Sequence, residues 1–284
     1  MITLLIDSAG VGYRAFHSLG SLSHEGSATG IAFGFLSLIL DLSEQYKTNK
    51  LVFCWDSPGS VRKRWFPEYK MSRDTKTPEE KAERVEIHAQ FDALRQEILP
   101  AIGFSNNPFQ LGYEADDLIA SIVIDNPIKS FVVVSSDHDL YQLLQYHNCK
   151  TQHRLSGKEM TASKFMAEYR VPAREWSMVK AIAGCNGDGV PGIPGVGELT
   201  AIKYLLCEIN QGKKYRDIED NPSTIRRNYK LVHLPFPGVK KIELEKDYVA
   251  EETMFSVFSD LGFSSFLSGE QKQRWEQFIE GEWK

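Results

Sequence analysis

Much that would classify a chain at a glance is scarce in this one. Its four cysteines (Cys54, Cys149, Cys185 and Cys207) are scattered without CxxC spacing. That argues against a zinc ribbon or a disulfide framework and suits a reducing compartment. The longest apolar run, Ile31 to Leu40, is too short to cross a bilayer and is followed by Asp41. The apolar start lacks a basic leader and reaches Asp7 almost at once, so no signal peptide is expected. Positive charge is not in excess either: the net charge of −5 argues mildly against a nucleic-acid ligand. Neither an internal repeat nor a low-complexity tract is visible. A soluble protein of a reducing cytoplasm is expected, with no membrane partner. With 284 residues and 42% hydrophobic content it can bury a full core.

The net charge conceals local structure. Arg62-Lys63-Arg64, Lys70 and Arg73 form a basic stretch with Trp65, Phe66 and Tyr69 interleaved. A second basic group comprises Arg226, Arg227, Lys230, Lys240 and Lys241. Such runs are commonly just solvated loops. A ring such as Tyr69 beside phosphate-pairing cations, however, suits single-stranded nucleic acid.

What the chain has in quantity is carboxylates at the ends of apolar strands. Ile2 to Ile6 runs into Asp7, Leu51 to Trp55 into Asp56, and Phe131 to Val134 into Ser135-Ser136-Asp137-His138-Asp139. Glu114, Asp116 and Asp117 open a helical pattern that continues through Leu118, Ile119 and Ile122. Thr29 is placed to cap a helix through Phe33, Leu36, Ile39 and Leu40. Strand–helix alternation predicts an α/β fold with a mostly parallel central sheet and helices on both faces. Parallel strands gather their C-terminal ends, with any ligand site, on one edge. Any single Asp there is ordinarily a turn former or a cap. The recurrence is what points to an oxygen-rich site for Mg²⁺ or Mn²⁺.

Two further segments interrupt the alternation. Residues 57–107 form a long excursion, as a lid or clamp would. Its second half opens with Thr77 at a cap, Pro78 at the first helical position and Glu80 placed for a capping box. An amphipathic pattern follows through Val85, Ile87, Phe91, Leu94 and Ile98. About two thirds of the way along the chain, Gly184 to Gly197 is dense in glycine and proline, with Asp188 inside it and apolar Val190, Ile193 and Val196 at regular spacing. This favours a helix-hairpin-helix whose bare amides, at Gly192, Gly195, Gly197 and the helix start near Thr200, would clamp a phosphate backbone.

In their order, Asp7, Trp55-Asp56, Phe66-Pro67-Glu68-Tyr69-Lys70-Met71-Ser72-Arg73, Glu114-Ala115-Asp116-Asp117, Ser136-Asp137-His138-Asp139 and Gly184 through Ala201 resemble the flap endonuclease and 5′-3′ exonuclease family. Its members include bacteriophage 5′-nucleases and the 5′-nuclease domain of bacterial DNA polymerase I. The likeness spans about residues 1 to 205. It implies a PIN-like nuclease core over 1–175 with a helical arch at about 57–107, and a helix-hairpin-helix DNA-binding region with a C-terminal tail over 176–284. It implies two divalent ions, Mg²⁺ or Mn²⁺. Asp7, Asp56, Glu114 and Asp116 would hold the first, with Asp117 supporting it, and Asp137, Asp139 and Asp188 the second. Lys70 and Arg73 would contact the scissile phosphate, Tyr69 would stack on a nearby base, and Arg62 and Arg64 would line the DNA path. The hairpin would hold duplex DNA, with K⁺ on the carbonyls of Val190, Ile193 and Val196. A monomer acting on 5′ flaps, branches or ends of DNA, in a bacterial cell or a phage-infected bacterium, is the expectation.

One position departs from the pattern. Where the family carries an acid after the glycine matching Gly184, this chain has Cys185, and Gly189 stands where an asparagine is usual. A neutral thiol is a poor Mg²⁺ ligand, so the second ion should bind weakly. Two alternatives stay open: a structure-specific DNA-binding protein with weakened catalysis, or an RNA-cutting PIN-type nuclease.

Overall fold

The computed structural model describes residues 1–71 and 77–283. Strand β1 (Ile2–Asp7) runs into α1 (Ser8–Leu19), a short hairpin (β2, Ser23–His24; β3, Ser27–Ala28), α2 (Gly30–Tyr46) and β4 (Leu51–Cys54). The excursion that follows carries α3 (Arg62–Trp65), α4 (Pro78–Ala93) and α5 (Leu99–Ile102). Next come α6 (Ala115–Asp125), β5 (Ser130–Val134), β6 (Cys149–His153), β7 (Glu159–Met160), α7 (Ala162–Tyr169) and α8 (Trp176–Ala183). The β8–β9 hairpin (Gly184–Cys185 and Val190–Pro191) then leads to α9 (Glu198–Leu205), α10 (Lys213–Glu219), α11 (Pro222–Val232), α12 (Glu251–Asp260) and α13 (Gly269–Glu280).

The central sheet has the order β4-β1-β5-β6-β7 and is parallel apart from the β6–β7 pair. Its strands alternate between two apolar layers. Leu5, Val52, Cys54, Phe131 and Val133 face α6, α8 and α9, whereas Leu4, Ile6, Leu51, Phe53, Val132 and Val134 face α1, α2, α4, α5, α12 and α13. Burial on both faces is why these strands read as unbroken apolar runs. The register places Asp7 beside Cys54, and Ile6 beside Val134. Asp7, Asp56 and the 135–139 loop therefore leave the sheet at the same edge. From β1 the neighbouring strands lie on opposite sides, which opens the crevice where ligands settle in such sheets.

Three local features differ from expectation. Thr29 occupies the N-cap of α2, but its side chain makes no capping bond. In the excursion the Thr77–Glu80 capping box forms as read, yet Val85 is exposed and core packing begins only at Ile87. Beyond Ala93 the helix widens into a π turn over Leu94–Ile98, in which the amide of Leu99 bonds the carbonyl of Leu94. Pro100 explains it: lacking an N–H and crowding the carbonyl four residues back, proline breaks the regular ladder. The last segment is no loose appendage. Met254, Phe258, Phe266, Trp275 and Phe278 are buried in the same layer as Leu4 and Ile6.

Candidate active site

Asp7 ends β1 and caps α1, its Oδ1 accepting the amide of Gly10 at 3.1 Å. Its Oδ2 accepts the Ser135 hydroxyl at 2.8 Å, and that hydroxyl takes the amide of Asp137 at 3.0 Å. Asp56 accepts the amide of Ala115 at 2.7 Å, fixing the first turn of α6 beside β4. That turn presents Asp116 into the crevice between them. Burial, then the charge of Asp56, pushes Asp7 up to about 6 against the amide of Gly10 and the Ser135 hydroxyl. Burial and the charges of Asp137, Asp7 and Asp56 raise Asp116 well above the usual carboxylate range. Asp7, Asp56, Asp116 and Asp137 thus form one electrostatic cluster. Among the described residues, no three His, Cys, Asp or Glu side chains stand as a ready-made cation cage.

The remaining acids sit with cations. The Lys70 ammonium lies 2.7 Å from Glu114 Oε2 and 3.4 Å from Asp188 Oδ1. Burial alone would raise Glu114, but the charges of Lys70 and Arg62, with hydrogen bonds from Lys70 and Tyr69, hold it below the carboxylate range. The backbone of Lys70 is left-handed, with φ 54°, and is pinned by its amide donating to the Asp188 carbonyl at 2.8 Å. A side chain on Gly189 would meet the Glu68 carbonyl at 3.0 Å, so glycine there lets the two loops approach. Asp139 lies 3.3 Å from the Lys180 ammonium, which also reaches Glu198 at 3.0 Å. The Cys185 thiol donates to Asp139 Oδ2 at 3.4 Å. Burial and the adjacent Asp139 push that thiol well up, so it stays neutral. Burial and Asp137 raise Asp139 in turn, against Lys180.

Several assignments read from the sequence need correcting. Arg62 is not on a DNA path: it is 2% exposed, its Nη1 and Nη2 donating to the Asp117 carboxylate at 2.6 and 2.7 Å. Its Nε donates to the Leu231 carbonyl at 2.9 Å. Asp117, expected to support the first ion, is wholly buried and is engaged by Arg62 through both oxygens, Oδ1 also taking the Phe236 amide at 2.7 Å. Tyr69 cannot stack on a base: the ring is 3% exposed and its hydroxyl donates to Glu114 Oε2 at 3.0 Å. Gly192 is glycine for an internal reason, since a Cβ would strike the Ala183 carbonyl where the chain crosses itself. The grouping of acids also shifts, with Glu114 tied to Lys70 and Asp137 acting on Asp7 and Asp116 as well as on Asp139.

Other positions lie where a ligand could reach them. Arg64 is exposed, and Gly195 and Gly197 border open space ahead of α9, with Thr200 in its first turn. Val190, Ile193 and Val196, by contrast, are buried, the Ile193 amide donating to the Ile182 carbonyl and its carbonyl accepting the Val196 amide. Arg73 lies outside the described residues. Sequence reasoning missed Ser135, Lys180 and Glu198. Only their neighbours hinted at them, because a lone serine or a lysine at a helix end carries no signal until the fold brings Asp7 or Asp139 to it.

With this geometry established, the likeness to known proteins can be specified. Residues 2–170 match the family model described as 5'-3' exonuclease, N-terminal resolvase-like domain. A 5'-3' exonuclease of Aquifex aeolicus (strain VF5) is 30% identical over 248 residues, covering 86% of this chain and 78% of that protein. DNA polymerase I of Bacillus caldotenax is 30% identical over 296 residues, covering 93% of this chain but 32% of the polymerase. The chain therefore spans about a third of that relative's length. Among solved structures, a bacteriophage T5 flap endonuclease in a pseudo-enzyme-product complex with DNA and metal ions superposes with a TM-score of 0.70 at 23% identity. That match covers 93% of this chain and 98% of the other.

Proposed function

Because the chain belongs to the 5′-3′ exonuclease family, we propose that it is a divalent-metal-dependent, structure-specific nuclease hydrolysing phosphodiesters near 5′ ends or flaps of DNA. The observation that carries this is the cluster of Asp7, Asp56, Asp116 and Asp137 at one sheet edge, where burial and the neighbouring negative charges raise Asp7 and Asp116. Hard carboxylate oxygens in mutual repulsion are the donor set Mg²⁺ or Mn²⁺ fits. When bound, the metal supplies Lewis acidity to the phosphodiester and lowers the pKa of water.

The protein's own groups do the rest. Lys70, held in place by Glu114 and Asp188, offsets charge developing on the transferring phosphoryl group, with Arg73 assigned the same task. Ser135 and the Gly10 amide orient Asp7, while the Ala115 amide orients Asp56. The backbone at Gly195 and Gly197 and the start of α9 would grip phosphates of the duplex, with K⁺ at the hairpin carbonyls and Arg64 beside the strand. The second acid set fits a divalent ion less well. Lys180 and the Cys185 thiol already engage Asp139, and Lys70 engages Asp188. That arrangement is the one reason to keep a DNA-binding protein of weak catalysis as a second reading.

The direct test is a Mg²⁺ and Mn²⁺ titration with a 5′-flap DNA, its RNA counterpart and a blunt duplex. Cleavage of the DNA flap that needs metal and leaves a 5′-phosphate is expected. Binding without cleavage at any metal concentration would favour the second reading, and preference for the RNA flap would refute both. In the same assay Cys185→Asp should lower the half-saturating Mg²⁺ concentration by about tenfold, as changes around a metal site do. An unchanged titration would remove position 185 from the metal site.

A further inference from the structure

The two basic–aromatic stretches, far apart in sequence, meet in the fold. Trp65 is 67% exposed at the end of α3, with the Lys230 ammonium of α11 lying 5.6 Å from its ring centroid. One residue on, the Arg227 guanidinium lies 4.9 Å over the Phe66 ring. Between α3, α8 and α11 opens a cavity of about 550 Å³ whose walls include Trp65, Met178, Arg226, Tyr229, Lys230 and Phe236. Three cations line it, and among the described residues no carboxylate does. The chain that leaves α3 at Trp65 runs on within five residues to Tyr69 and Lys70, both bonded to Glu114.

We propose that this groove seats unpaired nucleotides of a single-stranded 5′ segment of DNA, with a base stacked on Trp65 and its phosphates paired with Arg226 and Lys230. An apolar, ring-lined hollow with a rim of one charge sign matches a group that is planar and apolar in its base and anionic in its backbone. Only an unpaired base can offer its face to such a ring, since duplex DNA keeps its bases stacked on one another. Stacking of this kind tolerates any base, in keeping with recognition by structure rather than sequence. The inference rests on the nuclease reading for its choice of DNA strand, and it supplies the exposed ring that the buried Tyr69 cannot.

The test is binding without divalent metal, so it is independent of cleavage. Fluorescence anisotropy would compare a duplex bearing a single-stranded 5′ tail with the same duplex blunt, for the wild type, Trp65→Ala, Trp65→Phe and Lys230→Gln. Trp65→Ala should weaken binding of the tailed DNA about tenfold and leave the blunt duplex unchanged, whereas Trp65→Phe should retain most of the affinity. Lys230→Gln should reduce the salt dependence for the tailed DNA by about one unit of log–log slope. Trp65 is largely solvent-exposed, so these variants should fold. Equal losses on both DNAs, no loss on either, or a wild type indifferent to the tail would each overturn the proposal. Cleavage measured separately with Mg²⁺ reports on the nuclease reading whichever way the groove behaves.

Discussion

Asp116→Asn should cut DNA cleavage by about a thousandfold or more, roughly 4 kcal/mol of barrier at 1.36 kcal/mol per tenfold, while leaving DNA binding intact. Asp116 is the acid that Asp137, Asp7 and Asp56 all act upon, with Lys70 opposing them. Removing its charge takes one donor from the cluster and relieves the rest. The same variant has a signature in stability. Asp7 holds its proton to about 6 in the folded chain, above its ordinary value, so the folded state binds more protons than the unfolded one between about pH 4 and 6. Metal-free stability must therefore fall as pH rises through that window, and the penalty is complete above it. Thermal melts in EDTA at pH 5 and 7.5 should show the wild type losing more stability than Asp116→Asn. Mg²⁺ should restore the wild type at pH 7.5 and the variant much less. Undiminished cleavage by the variant would remove Asp116 from the site.

Arg62→Ala should destabilise the fold by about 3–5 kcal/mol, the usual cost of stranding one member of a buried ion pair. The melting temperature should drop by on the order of 10 °C. The guanidinium fills the space between the Tyr69 and Phe236 rings, 5.8 and 4.8 Å from their centroids, and clamps Asp117 from both nitrogens. Arg62 thereby ties the base of the excursion, the start of α6 and the segment after α11 into one knot. A double change, Arg62→Met with Asp117→Leu, should recover much of the loss, since no buried charge then remains unpaired. Were Arg62 a DNA contact instead, the single variant would melt normally and lose affinity in a salt-dependent way. Urea or thermal denaturation beside anisotropy at two salt concentrations separates the two.

These two residues also mark where the sequence is legible. Carboxylates ending apolar strands are readable because a parallel sheet brings its strand ends to one edge, and Asp7, Asp56 and Asp137 do meet there. The Thr77–Glu80 capping box is readable because it is local. Arg62 and Tyr69 are misread because a basic–aromatic run carries no mark of which side chains turn inward. That is decided by Asp117 and Glu114, some fifty residues away in sequence. Cys185 stands out as a departure from a pattern, yet its partners Asp139 and Lys180 emerge only when β8 folds against α8. The C-terminal helices are silent for the same reason, since Phe258 and Trp275 acquire their role from α2 and α5.

The π turn at Leu94–Ile98 governs more than its own five residues. The sequence pattern points Ile98 at the core, but the extra residue in the turn hands that place to Leu99, which is fully buried. One inserted residue rotates everything beyond it by about 100° around the helix axis. The orientation of α4, whose exposed His88 feels the charge of Asp56, relative to α5 is thus fixed by the turn that Pro100 imposes. Pro100 works as a rudder, setting how α4, anchored by Ile87 and Phe91, is turned relative to α5.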